Sequence, residues 1–91
     1  MPDSTLTSRI IKRLVQTGRI KLLPNQYKVW IKFEVWKDIP DKDELMSGLW
    51  LYCTFLNKEG YDKNQELKLY DSNYNKLLAS YLEAENEFKY F

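Results

Sequence analysis

The chain has no histidine, so the side chain most used as a general base and as a metal ligand near neutral pH is missing. Its one cysteine, Cys53, sits inside the apolar run at residues 49–56. A reactive thiol needs positive charge nearby to hold the thiolate. Tyr52 and Thr54 supply none, and Cys53 reads as a small core residue. A lone cysteine closes no intrachain disulfide and fits a reducing compartment. Asp41, Asp43 and Glu44 are close enough to suggest a hard-cation site, but the glycine and ligand spacing of a calcium loop are lacking. Acidic residues at a helix start account for them, with Asp41 and Glu44 resembling a capping box. The chain has no Ser/His/Asp or Cys/His set, no glycine-rich phosphate loop and no Cys-x-x-Cys pair. The expectation is a protein that is not an enzyme and uses no metal or cofactor.

Three groups of residues are suited to binding instead. Lys28, Trp30, Lys32, Glu34 and Trp36 alternate with an apolar set, so a strand would display them on one face. Indoles beside lysines serve protein interfaces and single-stranded nucleic-acid platforms; covered by a helix or loop, the same indoles would be core. Arg9, Lys12 and Arg13, followed by Arg19 and Lys21, form a basic stretch that can contact phosphates or stand as a solvated helix face. Phe88, Tyr90 and Phe91 place three aromatics together, to fold back on the core or to join two copies.

Charge is segregated along the chain although the net is only +1. Residues 1–37 hold eight Lys/Arg and two acids, while residues 38–91 hold six Lys and eleven Asp/Glu. A basic face and an acidic face are the consequence if the fold keeps the two stretches apart.

The elements that must position these groups follow from periodicity. Leu6, Ile10, Ile11, Leu14 and Val15 make one helical stripe over residues 5–17, with Ser4 or Thr5 as N-cap and Gly18 as C-cap. Residues 19–23 read as a strand entering a turn at Pro24-Asn25. Tyr27, Val29, Ile31, Phe33 and Val35 alternate and predict a strand over residues 27–37. Residues 41–56 are ambiguous. Leu45, Met46, Leu49, Trp50, Cys53 and Leu56 share a helix face, yet Gly48 and the aromatics of residues 49–56 favour a short helix near 41–46 and then a strand. A turn follows at Asn57-Lys58-Glu59-Gly60, then a short strand at 66–70. Tyr74, Leu77, Leu78, Tyr81, Leu82 and Phe88 predict a last helix, capped by Asp71 or Ser72 and running to about Glu87.

The expected fold is α+β, in one compact domain spanning residues 1–91: an antiparallel three- to four-stranded meander flanked by an N-terminal and a C-terminal amphipathic helix. At this length a chain buries roughly 60–65% of its unfolded surface, and 15% aromatic residues supply the core area. The helix, Gly18 and strand pair resemble the recognition helix and wing of winged-helix proteins over about 30 residues. The helix–strands–helix order resembles double-stranded-RNA-binding domains, although the Lys-rich start of that family's last helix is replaced here by Ser72-Asn73-Tyr74-Asn75-Lys76. Both resemblances imply nucleic acid as a partner.

Aromatic excess, charge polarity and the missing catalytic sets point first to a small protein-binding module, such as a regulatory, inhibitory or accessory subunit. Its partner is another protein; a nucleic acid is the alternative, and a second copy of the chain the third. The opening residues show no basic leader and the longest apolar run is eight residues, so no membrane partner and a cytoplasmic location are expected.

Overall fold

A computed structural model of the chain describes residues 4–57 and 64–91, and the side chains from residue 9 onward. The expected cap by Ser4 or Thr5, the contribution of Leu6 to its stripe, and Lys58, Glu59 and Gly60 of the expected turn fall outside the described residues.

The class is α+β, as expected, with a different arrangement. Helix α1 (Ser4–Gln16) leads into a hairpin of β1 (Ile20–Leu23) and β2 (Lys28–Ile31). Helices α2 (Phe33–Lys37) and α3 (Lys42–Leu56) then cross to β3 (Glu66–Asp71), β4 (Leu77–Leu82) and β5 (Glu87–Tyr90). The five strands form one sheet in sequence order, antiparallel except for the parallel pair β2–β3. A parallel pair cannot be joined by a tight turn; it needs a crossover long enough to return to the starting edge. Helices α2 and α3 are that crossover.

Helix α1 ends as expected. Gly18 takes φ +75°, Arg19 donates its N–H to the Leu14 carbonyl, and Gly18 donates to Val15. This six-to-one and five-to-two pair closes the helix and releases β1. The two outer hairpins share one device. Pro24–Gln26 and Glu83–Glu85 each form a single 3-10 turn, closed by a left-handed residue, Tyr27 or Asn86. Asn is common in that conformation; an aromatic residue is not. Tyr27 is held there because its ring is buried against Trp50 and its hydroxyl bonds Thr54 Oγ1 at 2.8 Å.

Three expectations are corrected. The strand expected over 27–37 ends at Ile31, and residues 33–37 are helical. A strand persists only where neighbours exist. Lys32 makes the last bond to the Arg19 carbonyl, and beyond Arg19 the chain has turned at Gly18. On the other side Ser72 donates to the Ile31 carbonyl as β3 ends. With both neighbours exhausted, the chain coils and turns Trp36 into the core.

The strand preferred for residues 49–56 does not exist; α3 continues through Gly48 to Leu56. Asp41 caps it, Oδ1 accepting the Glu44 N–H at 3.1 Å, as the capping-box pattern predicts. Leu45, Met46, Leu49, Trp50 and Cys53 are buried at helical spacing, and this long-range packing outweighs the β preference of the aromatics.

The last helix is also absent. Residues 71–75 form a tight turn: the Asp71 carboxylate accepts the Asn73 N–H, Asn75 donates to the Asp71 carbonyl, and Asn75 has φ 54°. The chain then returns as β4. A bulge between the Leu69 and Tyr70 pairings adds one residue at Leu78, and Leu78, Ala79, Ser80 and Tyr81 are all buried. Burial on both faces with a shifted register erases the two-residue period, and what remains resembles a helical one. Thus the flanking C-terminal helix of the expected fold is replaced by two strands, and the meander by a mixed five-stranded sheet.

One layer of helices covers one face. Ile20, Val29, Ile31, Leu67, Leu69, Ala79 and Tyr81 point toward α1 and α3 and join Ile11, Leu49 and Trp50 in a single core. Each fully buried side chain of that size contributes roughly 1.5–3 kcal/mol. Among the described residues no helix is long and apolar enough to cross a membrane.

Candidate functional site

The opposite face of the sheet carries no helix among the described residues, since α1 and α3 pack on the core side. Strand registers place its side chains in three rows running across the strands. One row is Lys21 on β1, Trp30 on β2, Tyr70 on β3 and Leu77 on β4. The next is Leu23, Lys28, Lys68, Ser80 and Lys89. The third is Glu66, Leu82 and Glu87. An aromatic row, a lysine row and an acidic row therefore lie side by side on one face, exposed or half-buried except at Ser80, which is buried.

The aromatic row is built rather than incidental. Trp30 and Tyr70 are directly paired on the parallel strands and their rings stack, with centroids 5.5 Å apart and planes 23° from parallel. The indole Nε1 donates to Asn75 Oδ1 at 2.8 Å, which ties Trp30 to the β3–β4 turn. Both rings remain half-buried. In the lysine row Lys28 stands opposite Lys68, and like charges directly paired across strands destabilise a sheet. Lys89 is instead neutralised by Glu87 at 3.5 Å.

The expected sites are divided by the fold. Of Lys28, Trp30, Lys32, Glu34 and Trp36, only Lys28 and Trp30 share the open face. Lys32 and Glu34 are exposed where the chain leaves the sheet and enters α2. Trp36 is core: it packs on Tyr90 with centroids 6.2 Å apart, under the Lys42 ammonium at 5.3 Å. Arg9, Lys12 and Arg13 are exposed on α1, in the helix layer, while Lys21 points to the open face and Arg19 lies between them at the edge. The basic stretch is thus divided between the two sides of the sheet. Lys68 and Tyr70 join Lys28 and Trp30 on that face and were not read from sequence as site residues. The alternation of residues 66–70 was their one available signal.

Phe88, Tyr90 and Phe91 belong to an edge strand rather than a helix end. Phe88 stacks on Tyr81 at 4.5 Å, Tyr90 is 46% exposed and Phe91 is 68% exposed. The Tyr90 hydroxyl donates to the Asp43 carboxylate, and Tyr81 does the same to Glu83. Burial of the hydroxyl, then its bond to Asp43 and the charges of Asp43 and Asp41, push the Tyr90 phenol above its ordinary range. Asp41 is thus occupied as a cap and Asp43 as an acceptor. Cys53 is fully buried, and loss of hydration pushes its thiol up to about 12. A thiol so placed is protonated at neutral pH and is no nucleophile.

A depression between α1 and the start of α3, lined by Ile10, Ile39, Pro40 and Leu45, holds about 100 Å³. Small-molecule sites occupy roughly 300–1,000 Å³. Comparison with protein-family models, with curated proteins and with solved structures finds no match to this chain.

Proposed function

We propose that this chain is a non-catalytic protein-binding module, an accessory, regulatory or inhibitory subunit, that holds an acidic segment of a partner protein on the open face of its sheet. The observation that carries the reading is the stacked Trp30–Tyr70 pair lying beside Lys28 and Lys68. Aromatic side chains fixed by their neighbours offer a large contact area at low entropic cost, and interfaces concentrate their energy on such anchors. The paired lysines repel one another in the free protein, and carboxylates from a partner relieve that repulsion. The partner segment is therefore amphipathic, with acidic groups over Lys28 and Lys68 and apolar groups over Trp30, Tyr70 and Leu77.

A single-stranded nucleic acid is the second reading, because aromatics and lysines on an open sheet also suit bases and phosphates. Two features weigh against it. A base-stacking platform presents ring faces outward, whereas Trp30 and Tyr70 turn a face toward each other. Arg9, Lys12 and Arg13 stand on the far side of the sheet from Lys28 and Lys68, out of reach of one strand lying on the open face.

Capture from nuclease-treated host lysate tests the reading. The native chain retains a protein at low salt. Trp30→Ala and the double variant Lys28→Glu/Lys68→Glu, both folded by circular dichroism, lose it. Equal retention by both variants refutes the open face as the site. Capture that disappears with nuclease moves the assignment to nucleic acid.

A further inference from the structure

We infer that β5 is a self-pairing edge, through which two copies of the chain join antiparallel, β5 against β5 about a two-fold axis at Phe88, into one continuous sheet of ten strands. It uses the free backbone of β5 with Glu87 and Lys89 at the rim of the open face, and does not depend on what Lys28, Trp30, Lys68 and Tyr70 bind.

The backbone determines which groups are available. β5 is an outermost strand, and beyond it no strand pairs among the described residues. Phe91 donates its N–H to the Leu78 carbonyl. In an antiparallel ladder the direction alternates, so Glu87, Lys89 and Phe91 turn toward β4 while Phe88 and Tyr90 turn to the free edge. An unpaired edge of this kind is a template for another strand.

The side chains then select one register. With the axis at Phe88, the two Phe88 residues exchange both backbone bonds, and each Tyr90 N–H meets the Asn86 carbonyl of the other copy. The Asn86 N–H is already used within its own turn, bonding the Glu83 carbonyl. This register sets Glu87 opposite Lys89 of the second copy, twice, at the closely spaced non-hydrogen-bonded positions where cross-strand side chains approach most nearly. Moving the axis one residue either way sets Glu87 against Glu87 or Lys89 against Lys89. The existing Glu87–Lys89 pair thereby becomes a closed set of four alternating charges. On the core side the two Phe88 rings meet beside Tyr81.

The other edge offers no such match. β1 reads Ile20-Lys21-Leu22-Leu23, without an acidic residue to answer Lys21. An edge lysine left unanswered opposes pairing, whereas Lys89 on β5 has Glu87 to meet it.

Sedimentation equilibrium of the full chain over a concentration series is the test. The native chain is expected to pass from monomer to dimer. Glu87→Lys alone or Lys89→Glu alone weakens the dimer roughly tenfold, since two opposite-charge pairs become like-charge pairs. Mixing the two single variants restores a dimer containing one of each, and combining both changes in one chain restores the homodimer. Glu87 and Lys89 are both well exposed, and circular dichroism verifies that each variant keeps its fold. A monomer at every concentration, an open series of larger masses, or a dimer indifferent to these reversals overturns the proposal.

Discussion

Trp50 and Trp30 stand on opposite faces of the same sheet, and each donates its indole N–H to a partner, yet they do different work. Trp50, carried by α3 on the core side of the sheet, is wholly buried, bonds the Gln65 carbonyl at 2.9 Å, and packs on Tyr27. Trp30 lies on the uncovered face, bonds Asn75 at 2.8 Å, and leaves part of its ring to solvent. The core face is apolar and closed. The open face is banded with lysines, aromatics and acids, with Lys28 set opposite Lys68 in the strand register. A satisfied indole therefore does not by itself separate structure from function; what lies over it does.

The comparison breaks most visibly through the core. Trp50→Ala is expected to cost about 3–5 kcal/mol in denaturant unfolding and to leave a chain of this size barely folded. Trp30→Ala is expected to cost less, about 1–3 kcal/mol for one stacked contact and one exposed hydrogen bond, while abolishing partner capture. Similar losses at both positions would contradict the division of the sheet into a core face and a binding face.

Alkaline titration sharpens the same contrast. The thiol of Cys53 is raised from 9.0 to about 12. Between those values the folded chain keeps a proton that the unfolded chain releases, so stability falls as pH rises through that window, by roughly 1 kcal/mol per unit. Tyr90, also raised, acts in the same direction at higher pH. Unfolding curves measured from pH 8 upward are expected to decline, and a Cys53→Ala variant to decline less over the first two units.

Asp41→Ala removes the α3 cap and is expected to lower stability by about 1 kcal/mol without altering capture. Lys68→Glu has the smallest effect on the fold. It replaces a repulsive pair with Lys28 by an attractive one, raising stability by up to about 0.5 kcal/mol while weakening the acidic partner. Opposite signs for stability and binding in this one variant are the mark of a residue kept for recognition.

Much of the helix–hairpin start was legible. Ile11, Leu14 and Val15 of the α1 stripe, Gly18, the turn at Pro24 and the alternation of Tyr27, Val29 and Ile31 are local patterns, while Ile10 of the same stripe is exposed. The failures arose where strand pairing or burial, rather than residue type, decided the element. Residues 33–37 keep strand alternation but have no strand beside them. Residues 49–56 favour strand by type but fill a helical crossover that the parallel β2–β3 pair requires. Residues 77–82 look helical because β4 is buried on both faces and bulged at Leu78. The same limit applies to the site. Lys28 and Trp30 were visible as the outward half of an alternating strand, whereas Lys68 and Tyr70 join them only through a pairing across forty residues. Trp36 was placed with them because the strand was continued too far.

The central claim is that the open face, rather than α1, meets the partner, and lysine acetylation of the captured complex, read by mass spectrometry, tests it most directly. The account predicts that Lys28 and Lys68 lose reactivity on binding while Lys12 on α1 reacts as it does in the free chain. Protection of Lys12, with Lys28 and Lys68 reacting unchanged, would contradict it.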